Sequence, residues 1–175
     1  LPEAEGWLHQ ALAVLSSANL SPPELQAQIH SDLGWLNVRR GDLATAQAQL
    51  EQGLALVGES EHYDVLSSLY NRLGAVYYFR DDWNEAAQWV DRSLALRERL
   101  NDLVGMARSF NNLGVVKKRG GDWDGALANY QRSLELMESM GEVEGLALAC
   151  TNLGVLYTDR GDWAQAEENL KRSFD

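Results

Sequence analysis

The sequence predicts an all-α protein, a solenoid of antiparallel helix pairs, on three observations. The first is a period: Leu33-Gly34, Leu73-Gly74, Leu113-Gly114 and Leu153-Gly154 recur at steps of 40 in a chain of 175 residues. A fixed period of about 20–50 residues marks a repeat architecture. The second is punctuation. Each Leu-Gly pair is followed by an acidic turn, Gly41-Asp42, Asp81-Asp82, Gly121-Asp122 and Gly161-Asp162. An alanine in step (Ala46, Ala86, Ala126, Ala166) and an apolar residue four later (Leu50, Val90, Tyr130, Leu170) come next. The third is helical spacing: Trp123, Ala126, Leu127, Tyr130, Leu134 and Met137 fall on one helix face, as do Leu103, Met106, Phe110, Leu113 and Val116 before them.

Each unit therefore holds two helices. Glycine ends the first in the left-handed conformation, and aspartate caps the second by accepting bonds from its free N–H groups. Residues 1–16 read as the second helix of a preceding unit, because Ala4, Leu8 and Ala11 match Ala46, Leu50 and Gly53. Ser21-Pro22-Pro23-Glu24 opens the next helix with proline in its first turn, where the missing N–H costs nothing. Helices are expected over 22–40, 43–58, 62–80, 83–99, 102–119, 123–140, 142–160 and 163–175. They pair as units 22–58, 62–99, 102–140 and a truncated 142–175, in one continuous array. With both ends interrupting a repeat, the chain is expected to be a fragment of a larger protein. Asn101-Asp102 and Gly141-Glu142 stop one unit and start the next.

Glycine inside a helix costs about 1 kcal/mol relative to alanine. Its presence at 34, 74, 114 and 154 implies a close backbone approach, with the in-step alanines as its counterpart on the second helix. The tryptophans at 83, 123 and 163 also recur with the repeat, Leu43 holding their place in the first unit, and are read as core. Strand-built arrays are excluded because period-two alternation appears nowhere.

A net charge of -11 argues against nucleic acid, whose binding rests on Lys and Arg neutralising phosphates, and against docking on anionic membrane. It fits a basic partner, although acidity chiefly maintains solubility. The single cysteine, Cys150, excludes an intrachain disulfide. No apolar run reaches the roughly 18–20 residues of a membrane span, and the N-terminus lacks the basic and apolar regions of a signal peptide. The expected location is cytoplasmic. His9, His30 and His62 show no metal-ligand spacing. His30 shares the repeat position of Tyr70, Phe110 and Cys150, so a hydrogen-bonded core histidine is expected, and Cys150 is expected to be buried and inert. Arg119-Gly120-Gly121-Asp122 lacks the Lys-Ser/Thr of a phosphate-binding loop. No enzyme activity, cofactor or metal site is expected.

The pattern Leu-Gly, Gly-Asp-Trp, Ala, an apolar residue and then a small one (Gly53, Ser93, Ser133, Ser173) resembles the tetratricopeptide repeat, whose usual unit is 34 residues. The longer 40-residue form is similar to repeats of the animal cell-polarity adaptors called LGN or Pins, and to arrays in bacterial signalling and STAND-type ATPases. The resemblance implies a right-handed superhelix whose first helices line a concave groove. Carried over position by position, the groove comprises Gln28, Ser31, Trp35 and Val38, then Ser68, Asn71, Arg72, Ala75 and Tyr78. It continues with Arg108, Asn111, Asn112, Val115 and Lys118, and then Leu148, Thr151, Asn152, Val155 and Thr158. Asparagine amides can grip a peptide backbone through donors and acceptors, Arg72, Arg108 and Lys118 can hold a carboxylate, and Trp35 and Tyr78 can anchor. Asn112 and Asn152 fit local helix–helix bonding equally well.

Chaperone-type repeats clamp a C-terminal carboxylate with paired lysines and an asparagine. Ser31 and Trp35 stand at the first-unit positions here, so that specificity is not expected. The polarity adaptors carry asparagine just after Leu-Gly, where this chain has Trp35, Ala75, Val115 and Val155, which makes its groove more apolar. The resemblance implies an interaction scaffold binding a peptide or partner helix of basic or apolar character. Two alternatives stand beside it: an effector-sensing region of a bacterial signalling ATPase or regulator, and a spacer that self-associates through uncapped end repeats.

Overall fold

The computed structural model describes residues 2–17, 22–58 and 62–174. Among these the chain forms α1 (Pro2–Ser17), α2 (Pro23–Arg40), α3 (Leu43–Val57), α4 (Tyr63–Tyr78), α5 (Trp83–Leu100), α6 (Leu103–Arg119), α7 (Trp123–Met140), α8 (Val143–Arg160) and α9 (Trp163–Arg172). No strand occurs among the described residues. The expected helix starts at 22, 62, 102 and 142 each fall one residue early, on the capping residue itself. The expected end at residue 80 lies two beyond Tyr78. Ser21 of the opening motif lies outside the described residues; Pro22 caps α2 and Pro23 begins it.

The turns follow from local chemistry. Gly41, Gly121 and Gly161 are left-handed, at φ 82°, 85° and 81°. At the first of them the N–H groups of Gly41 and Asp42 donate to the carbonyls of Val38 and Asn37 at 3.0 Å each, closing the end of α2 as a left-handed cap does. In the second repeat Asp81 takes that conformation, at φ 60°. The aspartate caps form at Asp42, Asp82 and Asp122, which accept from the N–H groups of Thr45, Glu85 and Gly125 at 3.1, 3.1 and 2.9 Å. The bond from Gly125, aided by the Lys117 ammonium, holds the Asp122 carboxyl below the usual aspartate range. Asp162 departs from the expectation. Its side chain makes no cap bond, and its carboxylate lies 3.8 Å from Arg160 Nε instead.

The chain divides into two compact units, residues 1–96 and 97–175. In the first, α2 packs antiparallel on α3, with α4 beside α2 and α3. Its core joins Ala27, Leu50, Leu66, Leu69, Leu73 and Val76, with Tyr70 and Trp89 packed against it. In the second, α6 pairs with α7 and α8 with α9, while α7 and α6 both adjoin α8. Ala126, Tyr130, Leu153 and Leu156 form its centre.

The glycines mark the closest approaches. A Cβ on Gly34 would lie 2.6 Å from Leu50 Cγ and 3.3 Å from the Ala46 carbonyl oxygen, and one on Gly74 2.6 Å from Val90 Cγ2 and 3.2 Å from the Ala86 oxygen. At Gly114 it would meet the Tyr130 ring at 2.5 Å, and at Gly154 Leu170 Cγ at 2.6 Å. The alanine thus brings its backbone close, and the apolar residue four later fills the space that the glycine leaves.

The tryptophans require a correction. Trp83 is half-buried, Trp123 is 38% exposed and Trp163 is 69% exposed. Each is the first residue of its helix, beyond the stretch where paired helices face each other. The ring therefore lies over the edge of the pair, as Trp83 does edge-to-face on Tyr78 at 5.4 Å. His30 and Cys150 occupy the places expected of them. His30 Nδ1 and Gln49 Oε1 form a 2.8 Å hydrogen bond, and Cys150 is fully buried with its thiol pKa raised by that burial.

Candidate functional site

The first helix of each repeat carries the candidate residues, and the structure sorts them into two sets. One set is spent on bonds from one repeat to the next. In the first unit Arg72 on α4 donates from one guanidinium nitrogen to Ser31 Oγ at 2.8 Å and Asp32 Oδ1 at 2.7 Å. Gln28 donates to the same Asp32 oxygen at 3.3 Å. Ser31 is fully buried beneath this network. In the second unit Asn152 on α8 donates to Asn111 Oδ1 on α6 at 2.7 Å, and Asn111 is buried. Lys118 and Asp159 pair at 2.6 Å.

The spacing is regular. Ser31 with Arg72 and Asn111 with Asn152 are each 41 residues apart. A polar residue on one helix is covered by a longer or matching polar side chain one repeat and one residue on. This corrects the reading of Ser31 and Asn111 as open contacts: they lie under their partners. Arg72, Asn152 and Lys118 are half-buried, with their polar groups already engaged. A charge-assisted bond of this kind, partly shielded from water, is stronger than a neutral one.

The other set, Trp35, Arg108, Leu148 and Thr151, faces solvent, and Ser68, Asn71, Asn112 and Tyr78 are half-buried. Trp35 is 39% exposed and Leu148 51% exposed. Arg108 and Thr151 are exposed, and the Thr151 hydroxyl donates back to the Ala147 carbonyl at 2.8 Å. Leu148, Thr151 and Val155 share one face of α8, where Val155 is also exposed, and Arg108 holds on α6 the repeat position that Leu148 holds on α8. Ser68 is half-buried with its hydroxyl donating to the Asp64 carbonyl at 3.1 Å. Asn71, Asn112 and Tyr78 are half-buried, and Tyr78 packs edge-to-face on Phe79 at 5.3 Å as well as on Trp83.

Sequence reasoning missed one feature of the first unit. A cavity of about 510 Å³ is lined by Trp35, Val38, Arg39, Arg40, Gly41, Leu43 and Phe79. A signal for it was present: Phe79 stands where the other repeats carry Arg39, Arg119 and Asp159, an aromatic ring at a position otherwise charged. Among the described residues no group of three or more His, Cys, Asp or Glu side chains could hold a metal ion, and no helix is long and apolar enough to cross a membrane.

Comparison with known proteins follows the same architecture. A family model described as tetratricopeptide repeat matches residues 64–139 and 105–175, and a second of the same description matches residues 27–52. No curated protein sequence matches significantly. Among solved structures, BtubC from P. vanneervenii is 25% identical with a TM-score of 0.86, over 98% of this chain and 71% of that one. Aspartyl phosphate phosphatase F from Bacillus subtilis is 14% identical with a TM-score of 0.85, over 96% of this chain and 44% of that one. A STAND signal-transduction ATPase with a tetratricopeptide repeat sensor, from Pyrococcus horikoshii, is 16% identical with a TM-score of 0.81. It is matched over 96% of this chain and 26% of its own.

Proposed function

We propose that this chain, which belongs to the tetratricopeptide repeat family, binds a peptide or partner helix of another protein on the open faces of its first helices. The observation that carries the reading is the exposed stripe on α8 in which the apolar Leu148 and Val155 flank Thr151, with the exposed Arg108 one repeat away. An amphipathic helix or extended segment recognised at i, i+3 and i+7 spacing fits such a stripe, and Arg108 supplies the charge that orients it. Polar groups already bonded between repeats stiffen the scaffold, so that binding needs little reordering.

The test is capture of partners from lysate of the source cells on the immobilised chain, beside a variant carrying Arg108→Glu and Leu148→Glu. Both residues are exposed, so the variant keeps its helical signal and thermal midpoint. A protein retained by the wild type and lost by the variant supports the proposal. Equal retention by both, or none, overturns it.

A finer reading belongs to the same proposal. The array is of the longer-repeat type similar to LGN or Pins, divided as 22–58, 62–99, 102–140 and 142–175 after a helix of a preceding repeat, and it works in the cytoplasm without catalysis. The repeat helices of 15–18 residues in α2 to α8 support the longer unit. Effector sensing is the second reading. The 510 Å³ cavity of the first unit favours it, since small-molecule sites span about 300–1,000 Å³. Self-association remains the third reading, and a sedimentation series over protein concentration separates it from the other two.

A further inference from the structure

We infer that the cavity between the end of α2 and the end of α4 is a subsite for an acidic–apolar peptide segment, one that places a large apolar side chain beside a carboxylate. The inference rests on the reading of the chain as a peptide-binding module and names the chemistry of one part of it. Charge is the first argument. The chain carries 26 Asp and Glu against 15 Lys and Arg, yet the lining of this cavity contains two arginines and no carboxylate. Arg40 is neutralised by Glu5 at 2.6 Å. Arg39 is exposed and forms no ion pair among the described residues, which leaves one uncompensated guanidinium at the rim.

The rings are the second argument. Trp35 is 39% and Phe79 56% exposed, on two different helix ends that face one space, with Val38 and Leu43 completing an apolar wall. Cations in the last turn of a helix are favoured by its dipole, which accounts for arginines at the end of α2. That effect gives no reason for two aromatic rings to stay in water beside them. A bulky apolar side chain lodged between the rings would remove them from solvent, and Arg39 would take the adjacent carboxylate in a bidentate pair. The local surroundings leave Arg39 available for this. The carbonyls of Asn37 and Val38 are already bonded to Asp42 and Gly41, the Asp42 carboxylate caps α3, and Arg80 is held by Gln47 and the Leu43 carbonyl. The overall acidity of the chain favours a basic partner elsewhere on its surface; this cavity is locally of the opposite sign.

The test titrates the whole chain with acetyl-Asp-Phe-Glu-Leu-amide and with its neutral counterpart acetyl-Asn-Phe-Gln-Leu-amide. The Trp35 indole N–H resonance is followed by NMR after assignment with Trp35→Phe. The expected result is saturable movement of Trp35 with the acidic peptide bound at least tenfold more tightly than the neutral one. Arg39→Gln should reduce the acidic peptide to the neutral level, and Phe79→Ala should weaken both tenfold. Equal binding of the two peptides, insensitivity to Arg39→Gln, or no saturable movement of Trp35 overturns the inference. So does N-acetylphenylalaninamide binding as tightly as the acidic peptide, which would make the cavity a small-molecule site. The Arg108 and Leu148 capture test probes a different unit, so either proposal can fail while the other stands.

Discussion

Tyr130→Ala should destabilise the protein by about 3–5 kcal/mol, the range for truncating a buried aromatic side chain, measured by urea unfolding. Tyr130 is 2% exposed, its ring fills the space over Gly114, and it belongs to the core of the second unit with Leu153 and Leu156. Such a loss is a large part of the 5–15 kcal/mol that holds a typical domain. The converse change on the same contact, Gly114→Ala, adds a Cβ 2.5 Å from that ring. The ring is buried and cannot swing aside. Overpacking therefore costs toward the upper end of about 1–3 kcal/mol, more than the up to about 1 kcal/mol that helix propensity returns, and a net loss remains. Gly6→Ala is the control: nothing lies within 4 Å of its added Cβ, and it should be neutral or stabilising. A Gly114→Ala protein as stable as the wild type would contradict the close approach.

Arg72→Ala should lower stability by about 1–3 kcal/mol, the scale of a hydrogen bond to a charged group, because it uncovers buried Ser31 and releases Asp32. An exposed ion pair would contribute little, but the Arg72 side chain keeps only 21% of its surface in water. The same variant should retain the captured partner undiminished once the fraction folded is accounted for. Loss of capture with unchanged stability would return Arg72 to the set of open contacts.

Much of the fold was legible because turn chemistry is local. A glycine or aspartate in the left-handed conformation ends a helix, and an aspartate accepting from the third residue on starts one, whatever lies elsewhere in the chain. The close approaches were legible too, because a glycine that costs a helix stability at four equivalent positions needs a packing reason. The set of open contacts was less so. Ser31, Asn111 and Thr151 share one repeat position, yet the first two are buried and the third is exposed. The difference is made by Arg72 and Asn152, which arrive from the next repeat, and no periodicity reports whether a polar side chain will be used internally. Trp163 shows the same limit. Recurrence identified its place in the repeat, but its position in the first helical turn decided its exposure. Phe79 was the signal left unused.

The central claim is that partners dock on the open face of the first helices. Its most direct measurement places the photo-crosslinker benzoylphenylalanine at Leu148, and in a second protein at Gln131, an exposed position on α7. Both proteins are irradiated in lysate. A partner joined through position 148 and absent from position 131 is the predicted result. A partner joined through position 131 alone, or equally through both, would contradict it.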